Sequence, residues 1–222
     1  MATQTADKTY CGFYCRLLPD CDEKHVGIHG DRVAVGQEVS FIFENYVNSR
    51  DKDSQRILVL NLANEPIGFI PQKEAKRLVQ LNAQGWICRV AISAVGFKDA
   101  DRTYFAEAAI ICYELNAAHA FNPFAEHCFK QLANGSRLEL NLSDKLVRRI
   151  ERGEDIFDSI KLTRYPKLPK GEVWYKTKRS ITEKMIISAS QRKVGCFIGA
   201  GATALIAAAV CVFCVVKLLG II

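Results

Sequence analysis

Five side chains near the amino terminus have the chemistry of zinc ligands: Cys11, Cys15, Cys21, His25 and His29. Zinc needs four such groups held tetrahedrally. The spacing is not that of paired Cys-x-x-Cys knuckles. YCGFYCRLL reads instead as a strand, along which Cys11 and Cys15 share a face roughly 13 Å apart. We therefore expect no metal. His119, His127 and Cys128 offer a base beside a thiol, the parts of a nucleophilic catalyst. No oxyanion-stabilising pattern accompanies them, so these histidines read as surface residues and the chain as a non-enzyme. It contains no glycine-rich phosphate loop, and no cofactor is expected.

Two other constellations suit binding. Arg50, Lys52 and Arg56 could meet phosphates, although Asp51 and Asp53 lie among them and offset much of that charge. Phe69 offers a ring on which a base can stack, and reads equally well as a core side chain. The second constellation is Trp174, Lys176, Lys178, Arg179, Lys184, Arg192 and Lys193. Residues 161–193 hold 10 Lys/Arg against 2 Asp/Glu, a net of +8, whereas residues 1–160 hold 19 against 22, a net of −3. The formal charge of +6 is thus one basic segment on a mildly acidic body, and nucleic-acid binding does not follow from it.

The basic segment stands directly before residues 194–216, which are 23 residues without a charge. As a helix they would span roughly 34 Å, enough to cross a hydrocarbon core of about 30 Å. With only Lys217 and five uncharged residues beyond, the expectation is a single-pass tail anchor. The cations on its near side put the body in the cytoplasm by the positive-inside bias. They would lie at anionic headgroups, with Trp174 and Tyr175 at the interface. Ser180-Ile-Thr-Glu183 has the form of a capping box opening a juxtamembrane helix. Gly195 and Gly199, with Ala200, Ala204 and Ala208, would let two such spans approach closely, so self-association is a further expectation. No apolar leader precedes the body, and its cysteines are expected to be free thiols.

The first constellation must be positioned by the body. EVSFIFE, RILVLNL, PIGFI, WICRVAISAV and TYFAEAAIICYEL read as strands. PQKEAKRLVQLNAQG reads as a helix opened by Pro71 and stopped by Gly85, with Ala75, Leu78 and Val79 inward. Strands flanking one helix suggest a small mixed β-barrel or open sheet. Two short helices follow, in NPFAEHCFKQLANG and in LSDKLVRRIERGEDIFDSI, the second capped by Ser143 and stopped by Gly153. The expected organisation is a β-rich domain over 8–115, accessory helices over 116–160, a basic linker or helix over 161–193, and the span 194–216.

The order of parts over about residues 33–113 resembles a HIRAN domain. The resemblance rests on the turn Ile67-Gly68-Phe69-Ile70-Pro71, the helix 72–83 that follows it, and Gly85. The family's Asn-Pro-Tyr-Asp loop has its counterpart in Asn48-Ser49-Arg50-Asp51, or with Asp53 as the acid, and the tyrosine is absent. The resemblance implies a mixed α+β fold with a small β-barrel-like domain. In some members it also implies binding of single-stranded DNA ends, here by Arg50, Asp51, Lys52, Asp53, Arg56 and Phe69. Two functions stay open at this point: a membrane-tethered module for nucleic-acid ends, and a membrane-anchored protein-interaction adaptor with no nucleic-acid role. Membrane lipids are the partner common to both.

Overall fold

The computed structural model describes residues 9–19, 33–46, 54–180 and 183. The chain divides into two compact units, Met1–Arg179 and Ser180–Ile222.

The first unit is a mixed α+β fold on a seven-stranded antiparallel sheet. Its strands are β1 (Tyr10–Arg16), β2 (Glu38–Tyr46), β3 (Ser54–Leu60), β4 (Pro66–Phe69), β5 (Ile87–Lys98), β6 (Thr103–Tyr113) and β7 (Glu172–Lys176). The strand order is β1-β6-β5-β2-β3-β4, and β7 pairs with β5 beyond the point where β2 leaves it. Among the described residues its α-helices are α1 (Gln72–Ala83), α2 (Ala118–Ala133) and α3 (Asp144–Glu151).

The period-two pattern of β6 explains the layering. Ala106, Ala108, Ile110 and Cys112 face one core, which also holds Ala75 and Leu78 of α1, Ile57 and Val59 of β3, and Ile67 of β4. Ala109, Ile111 and Tyr113 face a second core, built with Phe121, Phe124, Cys128 and Leu132 of α2 and Ile150 of α3. A strand buried on both faces is apolar throughout rather than alternating, which is why AAIICY carries no polar residue. The helices after β6 thus cover the second face of the sheet.

The sheet is curled but not closed. β1 and β4 stand at opposite ends of the strand order, yet Leu18 and Phe69 form a bridge. Leu18 donates to Phe69 at 2.7 Å and Phe69 to Leu18 at 2.8 Å. The pairing goes no further, so the expected barrel is an open sheet whose two ends touch at one point. Gly68 permits that touch. At φ +153° it presents only hydrogen to the neighbouring chain, and a Cβ there would lie 2.6 Å from the Leu18 carbonyl oxygen.

Helix α1 matches its expected bounds, with Pro71 at its start and Gly85 at φ +77° after it. α2 starts earlier than Asn122 and carries Pro123 inside. A 3-10 turn over Leu115–Ala117 leads into it, and the burial of Phe121 between Tyr10 and Tyr113 fixes the early start against the usual preference for proline at the first turn. α3 follows Ser143, whose hydroxyl makes no capping bond although its carbonyl accepts from Leu146 and Val147. The expected linker over 161–193 instead contributes β7, paired with β5.

In the second unit, Glu183 Oε2 accepts from the Ser180 N–H at 2.7 Å and the Glu183 N–H donates to Ser180 Oγ at 3.2 Å. This is the reciprocal bonding of a capping box. Among the described residues no helix is long and apolar enough to cross a membrane. The span 194–216 and its small-residue ladder lie outside the described residues.

Candidate functional site

Of the six residues expected to hold a nucleic-acid end, Arg50, Asp51, Lys52 and Asp53 lie outside the described residues. The structure brings the other two together. Arg56 donates through Nε to Glu44 at 2.9 Å, and its guanidinium stands 4.0 Å from the centroid of the Phe69 ring. Phe69 is 7% exposed. The charge expected to meet a phosphate is thus matched by a neighbouring carboxylate, and the ring expected to meet a base is covered by a cation.

Three of the four described residues of the second constellation are engaged with the fold. Trp174 lies against Phe105 and Tyr165, with centroids 5.6 Å away in each case, and its indole N–H donates to the Pro166 carbonyl at 3.1 Å. Lys176 donates to the Val33 carbonyl and Arg179 to that of Val35. Lys178 is exposed. Lys184, Arg192 and Lys193 lie outside the described residues, as do Cys21, His25 and His29 of the proposed ligand set. Cys11 and Cys15 are core residues of β1, and burial pushes the Cys15 thiol up to about 12. Among the described residues no three side chains are placed to hold a metal ion. Cys128 is buried, and burial pushes its thiol far above the usual range. His127 stacks on Phe157 at 3.6 Å, and burial lowers its pKa.

A feature that the sequence did not reveal runs along β1. Leu17 donates to Ala106, and Glu114 donates to Thr9. Odd-numbered residues of β1 therefore turn their backbone groups toward β6. By the alternation of an antiparallel ladder, Gly12, Tyr14 and Arg16 turn theirs away, toward the open edge. Leu18, next in that series, is the residue that reaches Phe69. The backbone groups of Gly12, Tyr14 and Arg16 on that edge have no partner among the described residues.

Gly12 and Tyr14 of this edge line a groove. Two adjoining cavities of about 390 and 490 Å³ share Gly12, Arg77 and Asn141 in their walls. Arg77 of α1 forms one wall, its guanidinium 5.5 Å from the Phe13 ring. The opposite wall is the segment 138–142 and the start of α3. It is tied down by Tyr10, which donates to the Leu140 carbonyl at 3.0 Å, and by Tyr14, which donates to that of Leu138 at 2.7 Å. Gly12 is required between these tyrosines, because a Cβ there would lie 2.1 Å from the Tyr10 hydroxyl and 2.6 Å from the Leu140 carbonyl oxygen.

The groove walls carry both charge signs. Glu151 accepts from the Thr9 hydroxyl, and Asp144 occupies the first turn of α3, where a carboxylate is favoured. Arg77 and Arg148 have no carboxylate partner among the described residues. Arg137 lies deeper, 10% exposed, 3.7 Å over the Tyr14 ring and 2.8 Å from Glu107. Its Nε makes no hydrogen bond. Glu107 also accepts from Ser93. The glutamate that interrupts the apolar run of β6 is thus the buried counterion of Arg137.

The only trace of this groove in the sequence is Gly12 between Tyr10 and Tyr14. The pairing order that makes β1 an edge strand cannot be read along the chain. No family model, no curated protein and no solved structure matches this chain.

Proposed function

We propose that this chain is a tail-anchored membrane protein whose HIRAN-like body is a protein-interaction adaptor, taking an extended, acid-bearing peptide along the outer edge of β1. The edge of Gly12 and Tyr14, without a backbone partner among the described residues and lining a groove, carries this reading. An added strand would use backbone hydrogen bonds for affinity, each worth about 1 kcal/mol net, and alternate side chains for specificity. Arg77 and Arg148 supply charge complementary to a carboxylate on the peptide. The HIRAN resemblance and the uncharged run 194–216 support the rest of the assignment: a small β-rich module held at a membrane, with lipids and a second copy of the span as further partners. The nucleic-acid reading is the weaker one, since Arg56 and Phe69 satisfy each other and Glu44.

The test is a peptide library screened against the full chain in detergent micelles, alongside single-stranded and duplex DNA and RNA at two salt concentrations. Selected peptides are expected to be extended and acidic. N-methylation at alternate peptide positions should abolish binding, because it removes the ladder donors while leaving the side chains. Binding of single-stranded ends that is lost in Arg56→Ala, with no peptide selected, overturns the adaptor reading. Protease protection of the body on the cytoplasmic side of sealed vesicles would contradict the proposed orientation.

A further inference from the structure

Cys112 lies near the end of β6, and the register sets Cys11 of β1 opposite it on one side and Cys88 of β5 on the other. Three thiols thus stand in one row across three strands, all against the α1 core. The two neighbours are not equivalent. The odd-numbered residues of β1 exchange backbone bonds with β6, so Cys112 turns its N–H and C=O toward Cys11 and away from β5. Cys88 and Cys112 are therefore a non-hydrogen-bonded pair, the type that brings side chains closer. Opposite Cβ atoms in a sheet stand about 4.5–5.5 Å apart, closest in such pairs, and a disulfide needs about 3.5–4.5 Å. The register sets the Cys88 and Cys112 side chains directly opposite each other on the α1 face.

Their environments divide the chemistry between them. Cys88 is partly exposed, whereas Cys112 is fully buried. The neighbouring Cys112 thiol draws the Cys88 pKa down, while Cys88 and burial push that of Cys112 up. A thiol with thiolate character and solvent access is the one that oxidants attack.

We propose that Cys88 and Cys112 form a peroxide-responsive pair that closes a reversible disulfide between β5 and β6. The Cys88 thiolate attacks one peroxide oxygen. The O–O bond breaks, leaving Cys88 as a sulfenic acid and releasing hydroxide, which takes up the proton lost when Cys88 ionised. The Cys112 sulfur then attacks the Cys88 sulfur. The S–O bond breaks, and the departing oxygen takes the Cys112 proton and leaves as a second water. Two thiols have given up two electrons to one peroxide. A small-molecule dithiol returns them by thiol–disulfide exchange. The inference is independent of what binds the β1 edge.

The experiment exposes the full chain in detergent micelles to hydrogen peroxide, then alkylates it in denaturant so that buried thiols also react. Tryptic cleavage after Arg89, Lys98 and Arg102 separates the two cysteines for mass mapping without reductant. We expect a crosslinked pair of peptides containing Cys88 and Cys112, with loss of alkylation at both, reversed by dithiothreitol. Cys88→Ser abolishes the crosslink. In Cys112→Ala, Cys88 is trapped as a sulfenic acid by dimedone. The unsubstituted chain alone is decisive, so a variant that fails to fold does not obscure the result. The proposal falls if Cys88 is oxidised while Cys112 stays fully alkylated, if Cys112 crosslinks to Cys11 instead, or if neither sulfur changes.

Discussion

The two ends of the sheet treat their unpaired groups in opposite ways. At β4, the residues that carry the family resemblance are satisfied from within: Phe69 by Leu18 and Arg56, and Arg56 by Glu44. At β1, Gly12, Tyr14 and Arg16 have backbone groups with no partner among the described residues, and the first two line a groove beside Arg77 and Arg148, which have no carboxylate partner among those residues. An exposed strand edge is a template for another chain, and natural sheets usually cover or blunt it. Here one end is covered where the two ends touch, and the rest of β1 has no outer neighbour among the described residues. Arg56 and Phe69 are thus held by their own neighbours, and the proposed surface lies on the least conspicuous strand.

The comparison can be broken most forcefully beneath the groove. Glu107 and Arg137 are 6% and 10% exposed, so removing one leaves the other charged and buried. Glu107→Ala is expected to destabilise the body by about 3–5 kcal/mol in chemical denaturation, because an uncompensated buried charge costs that much. A loss below about 1 kcal/mol, the value of an exposed pair, would mean that water reaches Arg137.

The point where the ends touch is the next test. Gly68→Val puts a Cβ against the carbonyl oxygen of Leu18, where no flexible side chain can give way. The expected loss is about 3 kcal/mol, from overpacking added to backbone strain. Gly85→Ala has a similar handedness problem at φ +77° but meets nothing within 4 Å, so its cost should be about 1–2 kcal/mol. Equal losses in the two variants would show that the bridge contributes nothing beyond conformational preference.

Charge changes separate the two ends in binding rather than stability. Arg77→Glu with Arg148→Glu should weaken an acidic peptide by about tenfold, consistent with two exposed pairs worth up to about 1 kcal/mol each. Arg56→Ala should leave that affinity unchanged. The reverse pattern, measured by titration at low salt, would move the ligand to the β4 end.

Much of the fold was legible in the residues. The spacing of Ala75, Leu78 and Val79, with Pro71 before and Gly85 after, fixes α1 because local geometry decides it. The strands of the body were visible in their apolar runs. Long-range order was not. That Trp174 packs against Phe105 and Tyr165, that residues 172–176 pair with β5, and that α2 and α3 cover a second face depend on contacts between distant segments. Local composition there pointed to a linker, since two prolines and a glycine precede the strand. The candidate groove was hidden for the same reason: an edge is defined by the absence of a neighbour, and no residue type encodes an absence.

The smallest effect lies at the boundary between the open and the covered parts of β1. Arg16, the last residue of the open series, meets Glu172 of β7 through two bonds, at 2.6 and 3.0 Å. Hydrogen bonding from Arg16 holds the Glu172 carboxyl below its usual range. A folded-state pKa lower than the unfolded one means that the carboxylate stabilises the fold above the ordinary carboxylate range, and that this contribution is lost as pH falls through the lowered value. Glu172→Gln should therefore cost about 0.5 kcal/mol at neutral pH, the scale of a solvent-accessible pair. The gap between the variant and the unsubstituted chain should close as the solution is acidified below the carboxylate range. Denaturation midpoints of both proteins across that range measure it directly. A gap that widened with acid would mean that the Glu172 pKa is raised rather than lowered, and that Arg16 is not what ties β7 to the end of the open edge.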